Sequence, residues 1–168
     1  PTLSSEGVFA VMIYLVMYLF MNLGAFFVLI YVAQKQGGEN FEHFSGLGWR
    51  MPIVGIVMTI FMFSLTGLPP TVGFIGKFYL FVAIINAGSA FYWIAFFGAI
   101  NTVVSLYFYM RVVKTMYLDG KPSEEIVVPP LSITLILLVL AVPSVFFGIY
   151  WTPILNWVKN SLLLFVQI

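Results

Sequence analysis

From Gly7 to Ala33, from Phe91 to Met110 and from Leu131 to Trp151 the chain carries no charged side chain. A bilayer's hydrocarbon core of about 30 Å takes about 20 helical residues, so apolar runs of this length are read as membrane-crossing helices. We expect spans over 7–33, 91–117 and 131–151, the second reaching Tyr117 because the stems of Arg111 and Lys114 let their charges snorkel to the interface. With 62% hydrophobic and 8% charged residues and a mean hydropathy of +1.08, the chain lacks the polar surface a soluble domain needs. The expected fold class is an all-α integral membrane protein, with residues 1–168 as a single membrane segment.

A fourth apolar region, Met51 to Asn86, is too long for one straight helix and barely long enough for two crossings with a turn. Its parity sets the topology. Lys35 and Arg50 flank the loop 34–50; Arg111, Lys114 and Lys121 flank or occupy the loop 118–130, whereas "NAGSAFYW" has no charge. The positive-inside rule then favours one crossing, with both charged loops cytoplasmic and Lys159 alone on the outer side. A single crossing of that length must be broken. Gly67, Pro69 and Pro70 supply the break, because proline removes a donor and pushes the preceding residue out of the helical region. We expect half-helices over 51–66 and 71–86, hence four transmembrane helices with the second discontinuous. Unwound backbone at membrane depth is tolerated where it is buried in protein or lines a hydrated cavity, and broken helices carry the ion sites of many transporters.

Pro143 should kink the last span, with Ser144 beside it to satisfy the freed backbone. Beyond it, the tail 152–168 is short for a crossing; Asn156, Asn160 and Gln167 recur near helical spacing, as in a C-terminal helix at the interface or packed on a partner. Pro1 stands where an initiator Met would, and "PTLSSEG" lacks the basic start and cleavage site of a signal peptide. The chain therefore reads as the remainder of something longer.

Lys77 is the one chargeable residue well inside a span, about six residues past the break. Holding a lysine there costs roughly 2.5–3.5 kcal/mol on insertion scales, which points to proton exchange; a snorkelling lysine or a static pair is the alternative. A static pair lacks a candidate, because no span contains Asp or Glu and Glu6 lies at the edge of the first. Gly73, one turn earlier, and Gly76 leave little bulk beside the amine, giving room for water or a close helix. Two other spans carry polar stripes at helical spacing: Tyr14, Tyr18 and Asn22, and then Gly98, Asn101 with Thr102, Ser105 and Tyr109. Either stripe offers a water wire beside Lys77, and interhelical hydrogen bonding or small-residue packing accounts for them equally well. His43, Glu39 and Glu42, in a polar loop, are read as solvated.

The formal charge of +1 provides no field for nucleic acid. Without cysteine there is no disulfide, iron–sulfur cluster or thiolate metal site, and one histidine makes neither a metal cage nor a Ser–His–acid site. No cofactor is expected on this chain.

The stretches "YLFMNLGAFFVLI" (Tyr18 to Ile30), "SLTGLPPTVGFIGKFYLF" (Ser64 to Phe81) and "SLYFYMRVV" (Ser105 to Val113) resemble the C-terminal part of the subunit N family of respiratory complex I. That complex is the proton-pumping NADH:quinone oxidoreductase. The resemblance implies fourteen helices in the whole subunit, in two inverted repeats each with a broken helix, of which this chain corresponds to the last four. Lys77 falls on the lysine of the second broken helix, a proton relay toward the outer half-channel. The first broken helix and an upstream glutamate–lysine pair lie outside this chain. The implied function is proton translocation in the membrane arm, coupled to quinone reduction on other subunits. The implied partners are those subunits and the lipid bilayer, in a bacterial cytoplasmic membrane. A subunit of a multi-subunit cation/proton antiporter shares the broken helix and the lysine, and a passive membrane scaffold is the third reading.

Overall fold

The computed structural model describes residues 5–119 and 126–166; Pro1, Lys121 and Gln167, named above, lie outside the described residues. The elements are α1 (Ser5–Gln36), α2 (Phe41–Phe44), α3 (Leu47–Arg50), α4 (Pro52–Thr66), α5 (Val72–Asn86), a 3-10 turn (Ser89–Phe91), α6 (Tyr92–Tyr117), α7 (Leu131–Ile149) and α8 (Thr152–Val166). No strand occurs among the described residues. Helices α1, α6 and α7 are each long and apolar enough to cross a membrane.

The ends of α4 follow from local chemistry. Pro52 opens the helix, where its missing N–H would be unbonded anyway. Gly67 closes it in the left-handed region at φ 84°, a conformation that costs any other L-residue steric strain. Between Gly67 and Val72 the chain is unwound, as "GLPP" requires, and both Pro69 and Pro70 are exposed.

Neighbouring helices fix the parity of the broken region. Descending α1, Gly24 faces the Phe61 ring, Met21 meets Ser64, Met17 and Tyr14 flank Gly76, and Phe9 meets Tyr79 edge-on. Descending α6, Tyr117 lies on Gly55, Val112 shares a cavity wall with Met58, and Gly98 faces Phe81. Both helices pass α4 and then α5 in one uninterrupted order. The two halves therefore run in the same direction, and the broken helix crosses once.

The two charged loops meet at one end, as a single crossing demands. Val127 N donates to Arg50 O at 2.8 Å, Trp49 Nε1 to Tyr117 O at 2.9 Å, and Gly46 N to Thr115 O at 3.3 Å. The segment 41–50 is not a featureless loop. It forms two helical turns, and the chain bends by 117° between them and α4. Arg50 Nη2 anchors this elbow on α1 through Gln36 Oε1 at 2.8 Å. His43, read above as solvated, instead has its ring against Gly38 and its Nδ1 buried. The glycine leaves a space that the imidazole fills.

Helix α7 continues unbroken through Pro143, and the Ser144 hydroxyl donates to Leu140 O at 3.1 Å. Its Gly148 lies directly on the Pro70 carbonyl and Thr71, so α7 backs the unwound segment. In α8, Ile154 and Val158 are buried one turn apart while Asn156, Lys159 and Asn160 are exposed. That stripe packs on α1, where Val16 and Phe20 share a cavity with Pro153, Ile154 and Trp157. The tail is thus a packed amphipathic helix.

Candidate functional site

The break brings the end of α4 beside the first turns of α5. At the α4 terminus, Gly67 N donates to the Phe63 and Ser64 carbonyls, and Leu68 N to Phe63 O, all at 3.0 Å. This closing turn uses two of the four carbonyls that every helix C-terminus leaves without intrahelical partners. The other two point to Lys77. Its Nζ donates to Thr66 O at 2.7 Å and to Leu65 O at 3.1 Å.

The lysine therefore caps the broken helix. An ammonium at a helix C-terminus also meets the negative end of the helix dipole, a favourable contact of about 0.3–1 kcal/mol at the surface and up to ~2 kcal/mol when partly buried. The sequence shows no carboxylate for Lys77. Partial negative charge is supplied within the chain, by backbone that no side-chain pattern displays. A glycine C-cap preceding a lysine by ten residues is the signal that could have found it.

The glycines next to Lys77 serve close approach. A Cβ on Gly73 would overlap the Ser64 carbonyl, and one on Gly76 would sit 3.2 Å from Tyr14 Cδ2 and 3.3 Å from Met17 Sδ. Gly67 is tight as well: its Cβ would stand 2.8 Å from Lys77 Cδ. Gly67→Ala combines that contact with a left-handed backbone. It is expected to lower stability by about 1–2 kcal/mol, measurable as earlier thermal unfolding of the solubilised protein; an unchanged transition would contradict it.

On its other side Lys77 opens into a cleft of about 340 Å³ between α1, α5 and α6. Tyr14, Asn101, Thr102 and Ser105 supply its polar lining, with Gly98 at one edge and Leu80, Phe81, Ile84 and Ile94 as apolar wall. Residues from both polar stripes thus converge on the amine. The Thr102 and Ser105 hydroxyls donate to their own helix, to Gly98 O and Asn101 O at 3.0 and 2.7 Å. Their oxygen lone pairs remain as acceptors. Tyr18 stacks on Tyr14 with ring centroids 5.8 Å apart, and neither Tyr18 nor Tyr109 lines the cleft itself. Asn22 does not line the cleft. It sits two turns along α1, next to Met21, at the level of the last turn of α4.

The half-buried amine is thus held by backbone carbonyls at a helix break and faces an open, largely apolar cleft with polar groups along part of its wall. The family model described as NADH:quinone oxidoreductase/Mrp antiporter, transmembrane, matches residues 2–105. The chain belongs to that family. It is 49% identical over 164 residues to NADH-quinone oxidoreductase subunit N 2 of Sorangium cellulosum, covering 94% of this chain and 32% of the relative. It is 43% identical over 171 residues to NADH-quinone oxidoreductase subunit N of Anaeromyxobacter sp., covering 96% and 33%. The chain thus spans about a third of the length of the curated relatives it matches. Among solved structures it is similar to a chain of the membrane-bound sulfane sulfur reductase, an archaeal respiratory membrane complex. The TM-score is 0.85 at 30% identity, over 94% of this chain and 32% of the other. A chain of respiratory complex I from Thermus thermophilus shares the fold, with a TM-score of 0.71 at 24% identity over 88% and 34%. The broken helix and Lys77 lie inside the matched segment.

Proposed function

We propose that this chain is part of a proton-translocating subunit in the membrane arm of an NADH:quinone oxidoreductase, with Lys77 as its relay group. The observation that carries the reading is the double environment of the Lys77 amine, capped by Leu65 O and Thr66 O on one side and open on the other to a cleft that Tyr14, Asn101, Thr102 and Ser105 line in part. Protonated, the amine satisfies the carbonyls. Turned toward Tyr14, Asn101 and Ser105, it meets groups that accept or relay a proton through water. Tyr18 and Tyr109 extend that route, and Asn22 is at most an outer member of it.

Coupling must come from outside this chain. Quinone reduction on other subunits drives the charge movement, and neither a cofactor nor a redox group is assigned to these residues. The partners are other membrane-arm subunits and lipid, because a cleft that holds a lysine cannot face acyl chains unaided. The positive-inside rule supports a cytoplasmic position for the end carrying Lys35, Arg50, Arg111 and Lys114, and the membrane in this reading is a bacterial inner membrane.

The test is NADH-driven acidification of vesicles containing the complex assembled with this chain. Acidification that does not depend on sodium is expected. Sodium-dependent transport without NADH-linked activity would replace this reading by the cation/proton antiporter, which shares the broken helix.

A further inference from the structure

Three hydrogen bonds join the half-helices, all donated by α5 to acceptors on α4, and each half caps the end of the other. Lys77 of α5 caps the C-terminus of α4 with its ammonium. In return the Ser64 hydroxyl of α4 accepts from Gly73 N, in the first turn of α5, at 3.2 Å. The first N–H groups of a helix have no intrahelical acceptor, and Ser, Thr, Asp or Asn at the preceding N-cap position ordinarily supplies one. Thr71 occupies that position and makes no such bond; its hydroxyl donates instead to Leu68 O at 2.6 Å. Ser64 performs the capping from the other half of the break.

The bond is held in a fixed direction. Ser64 is fully buried, and its hydroxyl donates toward Met21 Sδ at 3.4 Å, leaving the lone pairs for Gly73. Gly73 lacks the Cβ that would keep α5 away from the Ser64 carbonyl. Lys77 lies four residues beyond Gly73, on the same face one turn on. The register fixed by Ser64 and Gly73 therefore sets how far the amine stands from Leu65 O and Thr66 O.

We infer that Ser64 is a positioning residue for Lys77: by capping the N-terminus of α5 from the last turn of α4, it holds the amine at the carbonyls it must leave and regain. The inference rests on the relay reading above. When Lys77 turns into the cleft, the Lys77 cap is lost and the Ser64 cap remains. The halves keep their register, and the amine returns to the same place. Without the hydroxyl, α5 is free to shift each time the lysine lets go.

The experiment compares Ser64→Ala, Lys77→Met and wild type in vesicles of the assembled complex, measuring protons moved per NADH oxidised. Ser64→Ala should lower that ratio about fivefold, the weight of one net hydrogen bond, with NADH oxidation retained. A role in packing alone would lower assembly and both activities together. If Ser64→Ala keeps the wild-type ratio while Lys77→Met loses it, the positioning role is overturned and the relay stands. If both variants pump normally, the relay reading falls and the positioning role with it. Should Ser64→Ala fail to assemble, Ser64→Thr and Ser64→Val decide, since they match in shape and differ in the hydroxyl. Pumping with Thr and its loss with Val supports the role; equal behaviour of the two overturns it.

Discussion

Replacing Lys77 by methionine should remove most proton pumping while the complex still assembles. Methionine matches the lysine stem in length and carries no ionisable group. It leaves Leu65 O and Thr66 O without their donor, a penalty of about 1–3 kcal/mol for each buried group. It also relieves the roughly 2.5–3.5 kcal/mol of placing a lysine at membrane depth. These effects are of similar size and opposite sign, so assembly should change little. The relay is another matter, because a positioned acid–base group contributes about a hundredfold or more to the transfers it mediates. Lys77→Arg separates the two roles of the side chain. A guanidinium satisfies carbonyls at least as well as an ammonium but does not give up its proton near neutral pH. It should preserve assembly and fail to pump. Pumping measured against NADH oxidation in vesicles checks both variants. A methionine variant that pumps like wild type would leave Lys77 as a helix cap only.

The crossings were legible because membrane thickness imposes a length that uncharged runs display directly, and α1, α6 and α7 sit where those runs do. The break at Gly67, Pro69 and Pro70 was legible too, because the ring and the missing N–H of proline act through local sterics. Charge placed both loops on one side, and the Val127–Arg50 and Trp49–Tyr117 bonds join them there. Contacts made by backbone were hidden. The partners of Lys77 are carbonyls of Leu65 and Thr66, whose side chains say nothing of where those oxygens point. Gly73 and Gly76 read as room for water or a close helix, and spacing alone does not choose between them; the end of α4 and Tyr14 and Met17 of α1 are what lies there. The polar stripes were visible as stripes, but helical spacing alone cannot tell that Asn101 and Ser105 reach the cleft and Asn22 does not. His43 looked solvated because its loop is polar; its ring lies against Gly38 and its Nδ1 is buried.

Gly73→Ala should be the most damaging single-methyl change in the chain's membrane core. The added Cβ would overlap the Ser64 carbonyl oxygen, a backbone atom that no rotamer change moves aside. Helix α5 would have to retreat from α4, and in doing so would stretch the Gly73–Ser64 bond and both Lys77 bonds together. Helix α7 blocks one route of escape, because Gly148 already lies against Pro70 O and Thr71. Forcing a group into such a site costs about 3 kcal/mol, a large part of a domain's total stability. The mutant complex should be scarce in membranes. What assembles should pump poorly, since the amine has lost its seat. Gly98→Ala is the fitting control: its Cβ would sit 3.3 Å from Phe81 Cε1, at the edge of a ring that can tilt. That variant should accumulate near wild-type levels. Complex abundance after native electrophoresis distinguishes the two, and a Gly73→Ala complex as abundant as Gly98→Ala would show that the half-helices are not held in the register described.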